Sequence, residues 1–289
     1  MNISGDFQNI TSGNRSIIFE DIHTEMEMPR TVYSEYLKFK NLPIINLVKK
    51  ISVIVSLHFG HDKLYSLEYF KNVLKGLAAQ DDKNFEFCIY NDGCQDIKVS
   101  ELIEKFTGKL DIKYHFEKEN KGCCVGRNYA IRELATTSYV VVIDSDCIPQ
   151  PNFISVWKKY FSKYDDRFTF IGNVLDRDKF RKIKLNWLDF ITRHVGIFRS
   201  TFEAISGFDL DFSWTGSSKG FGSDDLDMGY RLEKTKHKFI YVLETFVTHQ
   251  NHREDYSEKE MELFRKRIEF NFSLMKKKYP ELKNFNVGY

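Results

Sequence analysis

No stretch of this chain reaches the ~18 uninterrupted apolar residues that a membrane-spanning helix needs. Its first thirty residues carry acids and polar groups where a signal peptide would carry an apolar core. The expectation is therefore a soluble protein, or one attached to a membrane from one side only. Charge of a single sign is also missing. The 43 Lys and Arg are set against 41 Asp and Glu, for a net charge of +2, which gives no global electrostatic case for nucleic acid or an acidic membrane as a partner. A local exception, Lys276-Lys277-Lys278, reads as a solvated helix face, with a membrane-surface or acidic-acceptor contact as the lesser reading. Cysteine is scarce. Cys88, Cys94, Cys123, Cys124 and Cys147 form an odd set without C-x-x-C spacing, which argues against a zinc ribbon or a disulfide framework. A reducing, cytoplasmic setting is expected, with peripheral association at the inner face of a membrane as its extension.

What is present is enough apolar material for a large core: 289 residues, 42% hydrophobic and 15% aromatic. Three stretches differ in pattern. Residues 1–48 are polar and lack a sustained period, and read as an extension with some helix around Val32 to Phe39. Over 49–150, short β-branched runs alternate with helical spacing. Ile51 to Leu57 reads as a strand buried on both faces, Leu64 to Ala79 as a helix, Phe85 to Tyr90 as a strand and Ile97 to Phe106 as a helix. Ile112 to Phe116, Val125 to Leu134 and Val140 to Ile143 continue the alternation as strand, helix and strand. The pattern predicts an α/β fold with a Rossmann-like, mainly parallel sheet over 51–146. In the third stretch, 151–289, the alternation weakens. Phe239 to Leu243 reads as a further strand and Ser257 to Tyr279 as an amphipathic helix.

Ligands of such sheets sit beyond the carboxyl ends of the strands, and these ends are polar. They read His58-Phe59-Gly60, Asn91-Asp92-Gly93-Cys94, Glu119-Asn120-Lys121-Gly122 and Asp144-Ser145-Asp146. Packing does not explain two carboxylates in alternation after an apolar strand. One can reach a divalent cation while the other holds its water or a ribose hydroxyl. Asp92 is open to two readings, a turn cap or an acceptor for a base N–H. Gly122 and Arg127, at a helix start, could approach and neutralise a diphosphate, or form an ordinary glycine-bearing loop. In the third stretch Asp224, Asp225 and Asp227 crowd the first turn of a predicted helix. Acids there favour the helix dipole and cap free N–H groups, yet three so close repel one another. Trp214 and Phe221 on the preceding loop offer a surface for a sugar ring. His249 and His252 follow the last predicted strand.

The order of these motifs resembles the family 2 glycosyltransferases of GT-A fold. The turn at Asn91-Asp92-Gly93-Cys94, the helix start Asn120-x-Gly122…Gly126-Arg127-Asn128 and Asp144-Ser145-Asp146 carry the likeness. Leu57-His58-Phe59 departs from the family's Thr-Tyr-Asn, and Asn91 from the first Asp of its turn. The segment from Gly220 to Leu232 resembles the G-W-G-x-E-D-x-D-L-x-x-R-L block of galactosyl- and N-acetylgalactosaminyltransferases, with Phe221 in place of the Trp and Asp224 in place of the Glu. The resemblance implies an inverting transfer of a hexose or N-acetylhexosamine from a UDP-sugar to a glycan, glycolipid or glycopeptide hydroxyl, with Mn2+ or Mg2+ as cofactor. It makes 49–150 the nucleotide-sugar half and 151–289 the acceptor and base half. Asp225 would be the base, with Asp224, Trp214 and Phe221 binding acceptor. His58, Asp92, Gly122, Arg127, Asp144 and Ser145 would bind the nucleotide sugar, and Asp146, His249 and His252 the metal. A nucleotidyltransferase or a non-catalytic sugar-binding protein is the competing expectation. The former would carry a Gly-rich, Lys/Arg-bearing signature after the first strand, which His58-Phe59-Gly60 lacks.

Overall fold

The computed structural model describes residues 14–19, 24–59, 63–94, 97–184, 186–213, 215, 222–250 and 257–284. Four strands form the first part of the sheet: β3 (Ile51–Leu57), β4 (Phe85–Asp92), β5 (Asp111–Glu117) and β6 (Tyr139–Ile143). They lie parallel in the order β5-β4-β3-β6. The apolar runs occupy the centre because only there are both faces covered: every residue of β4, and all of β3 but Ser56, is buried. Helices α2 (Lys63–Ala78), α3 (Ile97–Glu104) and α4 (Cys123–Tyr129) connect these strands. The chain leaves β3 for β4 on one side and returns to β6 on the other, which opens a crevice at the carboxyl ends of β3 and β6.

Beyond β6 the sheet becomes mixed. After β7 (Cys147–Pro149) and α5 (Phe153–Lys163) come β8 (Phe168–Asp176), β9 (Lys179–Phe180), β10 (His194–Phe198), α6 (Arg199–Ala204), α7 (Asp224–Lys234), β11 (Lys238–His249) and α8 (Glu258–Lys278). Strand β10 runs antiparallel between β6 and β8, β11 lies parallel to β8, and β7 pairs antiparallel with β11. Gly196 on β10 lets Trp157 of α5 pack directly on the sheet, since any Cβ there would overlap the indole. The register between β8 and β11 skips Leu243, Glu244 and Thr245, a bulge that brings His249 opposite Asp176.

The amino-terminal segment joins the main core. Strands β1 (Asn14–Phe19) and β2 (Thr24–Pro29) form a separate hairpin, and α1 (Arg30–Asn41) buries Val32, Tyr36 and Phe39. Phe39 stacks on Tyr160 with centroids 3.9 Å apart, and Lys163 Nζ donates to its carbonyl at 2.9 Å. Met26 and Met28 sit in the same apolar cluster as β3 and α5. Helix α1 is the one expected around Val32 to Phe39, but the flanking hairpin was not legible in the polar sequence. Among the described residues, no helix is long and apolar enough to cross a membrane.

Candidate active site

The site begins with a loop pinned by one carboxylate. Asp92, at the end of β4, is buried and accepts from Lys121 N at 2.6 Å, Gly122 N at 2.9 Å and Asn120 Nδ2 at 2.8 Å. Burial raises its pKa, and the two backbone N–H groups act against that shift. Gly122 has φ +93°, a left-handed geometry that admits glycine readily, and this turns the loop into α4. Its N–H points at Asp92. His58 donates from Nδ1 to the Asp92 carbonyl at 2.7 Å. His58, Asp92 and Gly122 are thus joined in one network, and three donors on the Asp92 carboxylate satisfy the turn-cap reading of that residue.

Helix α4 lies against the sheet because Gly126 has no side chain. A Cβ there would overlap Ser56 and Tyr90. The close approach carries Arg127 into the crevice, where its buried guanidinium donates to Asp144 at 2.9 Å and forms a short ion pair with Asp224. Its planar head also lies 5.4 Å from the Phe208 ring centroid. Arg127 therefore ties the end of β6 to the start of α7. The sequence suggested that this cation neutralises a diphosphate; in the structure its charge is committed to two carboxylates.

Helix α7 starts from Gly222 and Ser223, both left-handed, with φ +72° and +66°. For serine this is a strained backbone, of the kind found where a chain presents functional groups. Asp224 is 6% exposed. Burial raises its pKa and Arg127 pulls it back. Asp225, half-buried, accepts from Leu226 N at 2.8 Å and is pushed up to about 7, first by burial and then by the negative charge of Asp224. Asp227 has a structural place. Fully buried, it pairs with Arg231 at 2.6 Å and accepts from the Tyr279 hydroxyl at 2.7 Å, fastening α7 to the end of α8.

The third group lies at the ends of β8 and β11. Asp144, Ser145 and Asp146 form the half-buried turn between β6 and β7. The Asp146 carbonyl accepts from Gln250 N at 3.0 Å and Gln250 Nε2 at 3.1 Å, and Asn72 in turn holds the Gln250 side chain. Asp146 Oδ2 then lies 3.3 Å from His249 Nε2, while His249 Nδ1 is 2.6 Å from Asp176 Oδ1. Burial works against a charge on His249, but Asp146 and Asp176 outweigh it and raise its pKa to about 9. Arg193 donates to the other Asp176 oxygen at 3.1 Å. Sequence reasoning missed Asp176 and Arg193. Asp176 ends a strand that carries no motif, and the bulge that faces it with His249 leaves no periodic trace.

Asp146 and His249 offer one carboxylate oxygen and one imidazole nitrogen close enough to share a cation. A nitrogen donor suits Mn2+ better than Mg2+, which favours an all-oxygen shell. Cys123, Cys124 and Asp224 also bring their ligand atoms within 4.8 Å of one another. There the Arg127 guanidinium already neutralises Asp224 and opposes a second cation. Trp214, Phe221 and His252 lie outside the described residues.

Known proteins resemble this chain in sequence or in fold. A glycosyltransferase of Bacillus subtilis, YfnE, is 27% identical over 137 residues, which covers 41% of this chain and 33% of that protein. The chain spans a third or less of the length of the curated relatives it matches. Residues 1–349 of S. aureus TarS in complex with UDP-GlcNAc superpose with a TM-score of 0.54 at 17% identity, over 74% of this chain and 64% of that one. A mannosyltransferase of Pyrobaculum calidifontis in complex with GDP-Man and Mn2+ superposes with a TM-score of 0.54 at 15% identity, over 78% and 66%. These neighbours show the fold, a curled, mainly parallel sheet of GT-A type. A family model described as Glycosyl transferase family 2 matches residues 52–220, more than half of the 289 residues, and the chain belongs to that family.

Proposed function

We propose that the protein is an inverting, metal-dependent glycosyltransferase that moves a hexose or N-acetylhexosamine from a UDP-sugar to a hydroxyl of a glycan or glycoconjugate. The observation that carries this reading is Asp225. Its carboxylate is pushed up to about 7, and it follows Asp224, which Arg127 ties to Asp144 at the donor end of the sheet. A base works best when its pKa lies near the working pH, and here burial and one like charge bring an ordinary carboxylate into that range.

In this reading His58 and Asp92 lie at the nucleoside, Asp92 by holding the loop of Asn120 to Gly122, and the glycine lets that loop's backbone approach the diphosphate. Asp144 and Ser145 contact the ribose or sugar. Asp224 would bind the acceptor, and the sequence assigns Trp214 and Phe221 to the same task. Arg127 acts by position, fixing the distance between the Asp144 and Asp224 carboxylates. Asp225 takes the proton of the acceptor hydroxyl as its oxygen bonds to the anomeric carbon, and the bond from that carbon to the diphosphate breaks on the opposite face, which inverts the configuration. Asp146 and His249, with His252, would hold Mn2+, which supplies positive charge for the departing diphosphate. The parallel solved structures support a nucleotide-sugar donor, since TarS is described with UDP-GlcNAc, and the block from Gly220 to Leu232 favours galactose or N-acetylgalactosamine.

The test is release of nucleoside diphosphate from a panel of UDP- and GDP-sugars, with Mn2+ or with EDTA, in the presence of mixed glycan acceptors. Release of UDP that requires Mn2+ is expected. Undiminished release in EDTA would remove the metal from the scheme, and no release from any nucleotide sugar would favour a sugar-binding module.

A further inference from the structure

Asp176 has no part in the scheme above, yet its placement is specific. It closes β8, and the register of β8 with β11 sets it directly opposite His249. That facing depends on the bulge at Leu243, Glu244 and Thr245, because a continuous register would pair Asp176 with an earlier residue of β11. One Asp176 oxygen meets His249 Nδ1 at 2.6 Å, and the other accepts from Arg193 at 3.1 Å. Two contacts on two oxygens leave the carboxylate little freedom. The far nitrogen of the ring, Nε2, lies 3.3 Å from Asp146 Oδ2.

An imidazole that ligates a metal is neutral, with its proton on one nitrogen and its lone pair on the other. A carboxylate at Nδ1 keeps the proton there and leaves Nε2 as the donor atom, turned toward Asp146. We infer that Asp176 is the positioning residue of the metal centre: it fixes the tautomer and ring plane of His249 so that Nε2 and the Asp146 carboxylate present themselves together to one divalent cation. Arg193 supports it by anchoring the second oxygen. A carboxylate, an imidazole and a cation in line is a general arrangement in metalloproteins, and loss of the outer carboxylate typically lowers metal affinity about 10–100-fold. This inference rests on the reading that His249 and Asp146 hold the metal.

The experiment is calorimetric titration of Mn2+ into the full chain and into its D176A, D176N and H249A variants. UDP affinity without metal and thermal midpoints are measured on the same samples. Mn2+ affinity is expected to fall about 10–100-fold in D176A. It should fall less in D176N, whose amide oxygen still accepts from Nδ1–H, with metal-free UDP affinity unchanged in both. Wild-type Mn2+ affinity in D176A alongside its loss in H249A overturns the role of Asp176 and leaves the metal site standing. Should D176A not fold, the near-isosteric D176N decides, and unchanged Mn2+ affinity there overturns the role equally. Equal loss of metal-free UDP affinity and of Mn2+ affinity also overturns it, because a general distortion would then account for both. Absence of Mn2+ binding in the wild type, or wild-type affinity in H249A, fells the metal reading itself and the inference with it.

Discussion

Two groups of aspartates share one edge of the sheet, and their electrostatic surroundings are opposite. At the ends of β8 and β11 charge alternates: Asp146, His249, Asp176 and Arg193 follow one another within ion-pair distance. At the start of α7 like charge accumulates: Asp224 and Asp225 are adjacent, and the nearby Arg127 divides itself between Asp224 and Asp144. The first arrangement settles its carboxylates and orients them. The second unsettles one of them, and Asp225 rises to about 7. The difference teaches that in this fold the surroundings, more than the residue type, decide whether an aspartate is suited to hold a cation or to exchange a proton.

Removing the shared cation should have the largest effect. Arg127→Ala leaves Asp224 buried beside Asp144 without its partner, and a loss of about 3–5 kcal/mol in urea unfolding is expected. Unchanged stability would mean that the two halves are not held together through this residue. Asp92→Ala releases two backbone N–H groups and the Asn120 amide, with an expected loss of about 2 kcal/mol by the same measurement. That effect should leave the α7 end untouched, so the pH dependence of activity should not move.

A smaller effect, of opposite sign, comes from Asp225. Its folded pKa of about 7 stands above the ordinary 3.8. The protonated form is therefore favoured by folding, and this contribution is complete below about 3.8 and lost as pH rises through about 7. Asp225→Asn should accordingly raise the thermal midpoint at pH 8, because the amide cannot take on the charge that the folded protein disfavours there. At pH 4 it should change little. A midpoint that falls equally at both pH values would contradict the crowding of charge at this end.

Much of this was legible in sequence where one physical cause dominates locally. Ile51 to Leu57 and Val140 to Ile143 are strands buried on both faces, and such burial writes an uninterrupted apolar run. The positions of His58, Asp92, Asp144 and Asp146 at the strand ends followed directly. Legibility failed where two distant segments must meet. Asp176 and His249 are 73 residues apart and depend on a bulge with no signature. Arg127 and Asp224 lie 97 residues apart, so the sequence showed a free cation where the fold has a bridge. The hairpin β1-β2 was hidden for another reason: among its described side chains Met26 and Met28 are the ones buried in the core, too short an apolar alternation to stand out.

The role of Asp225 is tested most directly by the pH dependence of sugar transfer by the wild type and by Asp225→Asn under saturating donor and Mn2+. For the wild type the rate should climb with pH through about 7 and level off above it, as Asp225 ionises. In the variant the rate should be lower by at least ~100-fold, the scale for losing a general base, and should lack that limb. A variant that keeps both the wild-type rate and the same rise with pH would show that Asp225 is not the base.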